Sequence, residues 1–324
     1  MQIDRRLVGF GLFLITVGAV MVAVRQGVLA EATAGRAWSL WPMILVGIGL
    51  SIALDRRPGA ALGGLVLAVT FGAIVGGIAS TGSIGFSGIC SGDSDRGTAF
   101  AGSSGELADR ARVTIKQDCG DLTVTTAPGS TWNLSGVASD SRQPRLDARP
   151  DALTIDPSGS PSFGFDGRTA WVVVLPQDPL LDLDIEANAG DGRLTLPGAR
   201  LARLSIQRNA GSVDIDLREI AALDELTVDI NAGSGILRLP DVSLDGALSV
   251  NAGSIAICSA PGTGLRIRLE GSFGAANDFD EHGLTEVGGA WETAGYATAE
   301  VRIALRAEVN AGSLSLDPVR TCTG

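Results

Sequence analysis

The pattern of apolar and polar residues divides this chain into two parts. Three uninterrupted apolar stretches come first, at residues 7–24, 38–54 and 60–79, and none of them contains a charged residue. At 1.5 Å of rise per residue, a helix of about 20 residues crosses the roughly 30 Å hydrocarbon core of a bilayer. The pattern therefore predicts an α-helical membrane anchor with three spans over residues 1–80.

Arginines beside the predicted spans indicate their orientation. Arg5 and Arg6 precede the first span, and Arg56 and Arg57 separate the second from the third. Because flanking cations favour the cytoplasmic side, three crossings from an inside N-terminus place everything after residue 80 outside. An alternative is that the first span is a cleaved signal peptide, with a small-residue site at residues 30–32. Cleavage there would also leave the C-terminal region outside.

The C-terminal region carries a repeat. The tripeptide Asn-Ala-Gly begins at Asn188, Asn209, Asn231, Asn251 and Asn310, with spacings of 21, 22, 20 and 59 residues. Apolar residues alternate with polar ones on both sides of each copy, as a half-buried strand requires. Each unit is therefore predicted to be a strand, a tight turn and a second strand, as in a hairpin.

Repeats of this size predict a stack. One unit cannot bury its own apolar face, whereas copies stacked about 4.8 Å apart bury a continuous one. We predict an all-β C-terminal domain over residues 109–324, a β-solenoid-like stack of strand-turn-strand repeats. The pattern does not decide whether the stack is a right-handed coil, a left-handed coil or a looser sandwich. In such a stack the Asn side chains form a ladder of amide hydrogen bonds and the Gly residues supply positive φ. The predicted ladder consists of Asn188, Gly190, Asn209, Gly211, Asn231, Gly233, Asn251, Gly253, Asn310 and Gly312.

The interval of 59 residues before the last copy is close to three periods. Degenerate turns at residues 271–273 and near residues 288–289 are therefore expected to fill the space between Asn251 and Asn310. Asp118-Cys119-Gly120 is interpreted as an earlier, diverged copy.

The cysteines support the prediction that the C-terminal region lies outside the cytoplasm, and a Gly/Ser-rich segment joins that region to the spans. All four cysteines, Cys90, Cys119, Cys258 and Cys322, follow the third predicted span. This fits an oxidising compartment, where two disulfides form by any of three pairings; buried free thiols are the alternative. Residues 81–108 are rich in Gly and Ser and are predicted to be a flexible linker.

Charge excludes one class of partner. Residues 1–80 carry six arginines against three acids, and the rest carries 19 basic residues against 33 acids. An acidic remainder without a basic run offers phosphate backbones nothing to bind, which excludes nucleic acid.

Catalytic and metal chemistry is also short of residues. The chain has a single His, His282, so a His-rich zinc site is excluded. The alternating acids at Asp182 and Asp184, and at Asp214 and Asp216, are interpreted as the solvated outer halves of strands rather than a glycoside-cleaving pair or a calcium site. We therefore predict no catalytic residue, no cofactor and no metal.

Two segments resemble known families. Residues 5–54 resemble the transmembrane region of LiaI- and LiaF-like envelope-stress proteins, on the Arg-rich start, the glycine-spaced run LVGFGL at 7–12 and the run WPMILVGIGL at 41–50. Residues 110–324 resemble the toastrack, or putative-adhesin, repeat domain of many LiaF-like proteins, on the Asn-Ala-Gly-Ser repeats and the closing segments 291–296, 299–305 and 310–314. The resemblance implies a non-enzymatic β-repeat module linked to envelope stress responses or surface interactions. Many LiaF-like proteins carry four spans, which would put the C-terminal domain on the other side of the membrane.

These observations predict a multi-pass protein of the bacterial cell membrane with an extracytoplasmic repeat domain. Its predicted function is that of a sensing, scaffold or regulatory module of the envelope, not an enzyme. The alternatives are a surface adhesin, a β-solenoid that binds or processes polysaccharide, and an accessory subunit of a membrane complex. The expected partners are membrane lipid, envelope-stress signalling proteins or cell-wall components, and further copies of this chain through open strand edges.

Overall fold

A computed structural model describes residues 98–138, 143–157, 169–271 and 276–317, together with Thr16, Thr70 and Cys322. The chain divides into two units, residues 1–88 and 89–324. Among the described residues, no helix is both long enough and apolar enough to cross a bilayer. The three predicted spans lie outside the described residues, apart from Thr16 and Thr70, and so does Cys90.

The described part of the second unit consists of β-strands and one 3₁₀ turn at Tyr296–Thr298. The strands are β1 (Thr98–Glu106), β2 (Arg110–Ala127), β3 (Thr131–Ala138), β4 (Arg145–Arg149), β5 (Ala152–Asp156), β6 (Thr169–Pro176), β7 (Leu180–Ala189), β8 (Asp191–Thr195), β9 (Arg200–Arg208), β10 (Gly211–Asp216), β11 (Ala222–Arg238), β12 (Leu244–Cys258), β13 (Gly264–Glu270), β14 (Ala276–Asn277), β15 (Thr285–Val287), β16 (Ala290–Glu292) and β17 (Arg302–Leu316).

Each repeat bends at its Asn-Ala-Gly tripeptide, which we call the corner. β11 and β12 run through their corners without a break, and the segments on both sides pair in parallel with the neighbouring repeat. The prediction of a hairpin-like tight turn is therefore wrong. Gly233 has φ of 135° while its neighbours stay extended, so the two segments diverge onto two faces instead of folding back on each other.

The pairings build a stack of parallel layers, each with a segment before the corner and one after it. Along the stack the layers are β5 with β6, then β2, β7 with β8, β9 with β10, β11, β12, β17, and β13 with β14. The central layers follow chain order. Two strands do not follow chain order. β2 forms the layer between β5 with β6 and β7 with β8, and β17 forms the layer between β12 and β13 with β14.

The position of β17 overturns the expectation for the long interval. Asn251 and Asn310 belong to adjacent layers, with Leu248 opposite Ala307 and Gly253 opposite Gly312. No described strand lies between β12 and β17. Gly271 instead lies beside Val309 on the far side of β17, where a Cβ would be 2.4 Å from the Val309 carbonyl oxygen.

The second degenerate turn, near residues 288–289, lies outside the layers of the stack. Gly288 and Gly289, with φ of 59° and 78°, connect the antiparallel strands β15 and β16. Sequence spacing counts residues along the chain, so it cannot register a strand that returns to insert one layer earlier.

A single apolar core fills the space between the two faces. Leu204, Leu226, Leu305 and Ile267 lie in one inward column, in which Gly246 occupies the layer of β12, and these four side chains are at most 2% exposed. Fully burying a Leu, Ile or Val contributes about 1.5–3 kcal/mol relative to exposure. Aliphatic columns of this kind explain why the repeats contain few aromatic residues.

Antiparallel strands lie along both ends of the stack. β4 pairs with β5 and β3 with β6 at one end, and β16 pairs with part of β13 at the other. β1 extends the first end by pairing with β3. Residues 98–106, predicted as part of a flexible linker, therefore form a strand. One reason is that Gly105 lets β1 approach Trp132, whose Nε1 is 2.9 Å from the position of a Cβ.

Candidate functional site

The Asn side chains of the corners form a continuous line of hydrogen bonds. Each Nδ2 donates to the oxygen of the preceding layer: Asn188 to Asp118 Oδ1 (3.0 Å), Asn209 to Asn188 Oδ1 (2.6 Å), Asn231 to Asn209 Oδ1 (2.6 Å), Asn251 to Asn231 Oδ1 (2.6 Å) and Asn310 to Asn251 Oδ1 (2.7 Å). The line spans six layers and ends on the carboxylate of Asp118. The structure thus brings the five predicted Asn residues together and places Asp118 at the position of a sixth.

The corner glycines form a second column, immediately beside the Asn line. A Cβ on Gly211 would lie 1.9 Å from the carbonyl oxygen of Gly190, and one on Gly233 would lie 1.9 Å from that of Gly211. No side chain fits at that distance. The same close approach recurs at Gly120, Gly190, Gly253 and Gly312. The predicted positive φ holds for Gly190, Gly211, Gly233 and Gly253, whereas Gly312 is required by the close approach alone.

Three of the four cysteines are described, and they are disulfide-bonded. Cys258, at the end of β12, is bonded to Cys322, with 5.5 Å between the Cα atoms. Cys119, inside β2, is also disulfide-bonded. The two strands inserted out of chain order are thus each associated with a disulfide.

The outer face before the corners is covered by charges that pair between neighbouring layers. Arg112 contacts Asp182 at 3.9 Å, Lys116 contacts Glu186 at 3.1 Å, and Arg203 contacts Glu225 at 3.0 Å. These residues are direct register partners on parallel strands. The hydrogen bond from Lys116 to Glu186 raises the pKa of Lys116 above its usual value.

The alternating acids lie on the outer faces, as predicted, but three of them form ion pairs. Asp182 pairs with Arg112, and Asp214 pairs with Arg238. Arg218 Nη2 donates to Asp216 Oδ2 at 2.7 Å, and this bond lowers the pKa of the Asp216 carboxyl. Among the described residues, no group of three or more His, Cys, Asp or Glu side chains is arranged to hold a metal ion.

One buried charge was not predicted. Arg208 is 1% exposed, and its Nε and Nη2 atoms have no hydrogen-bond partner. Desolvation lowers its pKa to about 10, an effect that Asp191 and Asp121 partly offset. Gly192 lies beside it, since the position of a Gly192 Cβ is 3.6 Å from Arg208 Nη1, which is an ordinary van der Waals distance.

The sequence did contain a signal for this burial. Arg208 occupies the position immediately before the corner Asn, where other copies have Ile230, Val250 and Val309. This position points inward in the alternation, so a charge there is buried.

The parallel layers, the bent repeats and the Asn and Gly columns define a β-solenoid-like repeat protein. Residues 94–240 match the family model described as the N-terminal domain of toast_rack, DUF2154, and residues 8–53 match the LiaI-LiaF-like transmembrane region. These two matches confirm the resemblances found in the sequence, over the residues that each family model covers. Neither family is described as an enzyme family.

Solved structures show limited similarity. A putative cell adhesion protein from Clostridium sporogenes aligns with 13% identity and a TM-score of 0.43, covering 67% of this chain and 98% of its own. A putative adhesin from Bacteroides fragilis aligns with 10% identity and a TM-score of 0.31, covering 68% and 97%. No curated protein matches the chain.

Proposed function

We propose that this chain is a membrane-anchored sensing, scaffold or regulatory module of the bacterial envelope, with its repeat domain outside the cytoplasm. The observation that carries the proposal is the combination of a LiaI-LiaF-like transmembrane region with a toast_rack stack. Such a chain presents a rigid binding surface that is tethered to the membrane. It acts by presenting that surface rather than by catalysis.

The hydrogen bonding of the domain supports a rigid surface. The Asn line joins six layers, and parallel backbone pairing joins the same layers on both faces. The disulfide between Cys258 and Cys322 fits an oxidising compartment. A domain of this kind presents its partners with a surface of fixed shape and charge.

The placement is tested by thiol labelling in intact cells. A membrane-impermeant maleimide is applied before and after an external reductant, and modification of Cys258 and Cys322 is read by mass spectrometry. Labelling that appears only after reduction supports an external domain. Labelling that requires lysis but no reductant contradicts it and places the domain in the cytoplasm.

The regulatory role is tested in a strain lacking this chain. The strain is complemented with the wild type, with Gly211→Ala, which disrupts the corner, or with Gly129→Ala, a control whose Cβ position has no atom within 4 Å. The measurement is the transcriptional response to a cell-wall antibiotic. We expect an altered response in the deletion and with Gly211→Ala only. An unchanged response with reduced adherence to surfaces would favour an adhesin instead.

A further inference from the structure

Two neighbouring register pairs break the charge pattern of the outer face. Opposite charges face each other across neighbouring layers at Arg112 and Asp182 and at Arg203 and Glu225. On β13 and β17, however, Arg268 is the direct register partner of Arg306, and two residues further on Glu270 is the partner of Glu308. Like charges placed directly opposite each other destabilise a sheet. An external anion would relieve the repulsion between the two arginines.

The acids near this pair do not neutralise it fully. Arg306 Nε is 3.3 Å from Glu270 Oε1, with both side chains more than half exposed. Arg266 is committed to Glu292, at 2.6 Å, and lies over the ring of Tyr296. Arg268 is exposed and makes no ion pair with a described residue. The guanidinium of Arg268 thus has no ion-pair partner among the described residues. That of Arg306 is held only by the exposed pair with Glu270, and an exposed ion pair contributes little stability in water.

The three arginines line one side of a depression of about 430 Å³. Its floor includes Ala247 and Ala304, whose small side chains leave the space open, and its far side carries Glu225 and Asp245. Neighbouring strands are about 4.8 Å apart, so guanidinium groups on β13 and β17 can reach different oxygens of one tetrahedral anion. Of the two carboxylates opposite, Glu225 pairs with Arg203, so Asp245 is the acceptor offered to a hydroxyl group.

We propose that this depression binds the phosphate group of a glycerol phosphodiester, with Arg268 and Arg306 on the non-bridging oxygens and Asp245 accepting a hydrogen bond from a glycerol hydroxyl. Arginine suits this task because its planar fork of donors matches phosphate geometry. The same chemical group occurs in phosphatidylglycerol and in glycerol phosphate polymers. The natural source rests on the proposed external placement, whereas binding to the purified chain does not.

The test is calorimetry of the full chain in neutral detergent, titrated with a soluble glycerol phosphate oligomer at constant ionic strength. We expect binding by the wild type and at least tenfold weaker binding by Arg268→Ala and by Arg306→Ala. Arg112→Ala is the matched control, because Arg112 lies on the same face in an ordinary ion pair with Asp182, and neither residue lines the depression. No binding by the wild type, or equal binding by all variants, overturns the proposal.

A melting curve separates lost binding from lost folding. Because Arg268→Ala removes a repulsion, its Tm without ligand should be unchanged or higher, and the oligomer should raise the Tm of the wild type only. A rise of the same size in the variant would contradict the site.

Nanodiscs then distinguish the source of the phosphate. If the lipid head group occupies the site, the oligomer binds the wild type more weakly in phosphatidylglycerol than in phosphatidylcholine discs. Equal affinity in both assigns the site to a soluble or wall-attached polymer. Either assignment requires the loss of binding in Arg268→Ala.

Discussion

The middle of the stack and its two ends are built by different rules. From β7 to β12, each layer follows the previous one in sequence, and the corners recur every 20 to 22 residues. At the ends, β2 and β17 are inserted one layer inward, and antiparallel strands pair with the terminal layers. The middle depends on local periodicity, whereas the ends depend on contacts between distant parts of the chain.

The disulfides match this difference. Cys119 lies in β2, and Cys322 follows β17 and bonds to Cys258 in β12, which is 64 residues away in sequence. No described cysteine lies in the layers of β7 to β11. Closing a long loop costs chain entropy, and a crosslink reduces that cost by restricting the unfolded chain. We infer that the inserted strands need this restriction more than the regular layers do.

The largest effect is expected from Gly211→Ala in the middle of the stack. Its Cβ would lie 1.9 Å from the Gly190 carbonyl oxygen at a φ of 105°. Overpacking and backbone strain together should lower the free energy of unfolding by about 3–6 kcal/mol. Chemical denaturation measures this loss. Gly129→Ala is the control, since Gly129 has φ of 103° with no atom near its Cβ position; an equal loss there would show that φ alone matters.

The next largest effect is expected at an end, from Cys258→Ser combined with Cys322→Ser. Losing this crosslink should cost about 2–4 kcal/mol. Hydrogen exchange should increase first in β13 and β17, while β7 to β11 stay protected. A uniform increase across all layers would contradict the difference between middle and ends.

Asn231→Ala tests the ladder with a smaller expected effect. Asn231 donates to Asn209 and accepts from Asn251, both at 2.6 Å, so the change leaves one donor and one acceptor unpaired. We expect a loss of about 1–3 kcal/mol, read from the melting curve. Asn133→Ala on β3, which is exposed, is the control. Identical melting curves for the two variants would show that the Asn ladder does not stabilise the domain.

The smallest effect, of opposite sign, is expected from Arg208→Met. Replacing a buried, poorly paired charge with an apolar side chain of similar length should stabilise the domain by about 1 kcal/mol. The exposed Arg193→Met should change little.

The same variant has a defined pH dependence. The folded-state pKa of Arg208 is about 10, below the ordinary pKa of an arginine, so between these two pKa values the unfolded chain holds more protons than the folded chain. The free energy of unfolding of the wild type should therefore rise with pH above about 10. The gap in this free energy between the wild type and the more stable Arg208→Met should narrow. A difference that stays constant from pH 9 to 11 would contradict a desolvated charge.

Alternation and repeat spacing were sufficient to predict the strands beside the Asn-Ala-Gly corners, their stacking and the residues of the Asn and Gly columns. They were insufficient for the order of layers, because a period of 21 residues is the same whether Asn310 stacks on Asn251 or on an intervening corner. The burial of Arg208 was visible in the alternation, but its accommodation beside Gly192 depends on the neighbouring layer. The arginine pair of β13 and β17 could not be predicted at all, since it follows from the insertion of β17.

The most direct test of the inserted-strand architecture is crosslinking of designed cysteine pairs, mapped by mass spectrometry without reduction. Ser249 on β12 is the register partner of Glu308 on β17, and Glu308 in turn is the partner of Glu270 on β13. We predict that Ser249→Cys with Glu308→Cys forms a disulfide and that Ser249→Cys with Glu270→Cys does not, because β17 separates the latter two. A bond in the second pair and none in the first would show that the layers follow chain order.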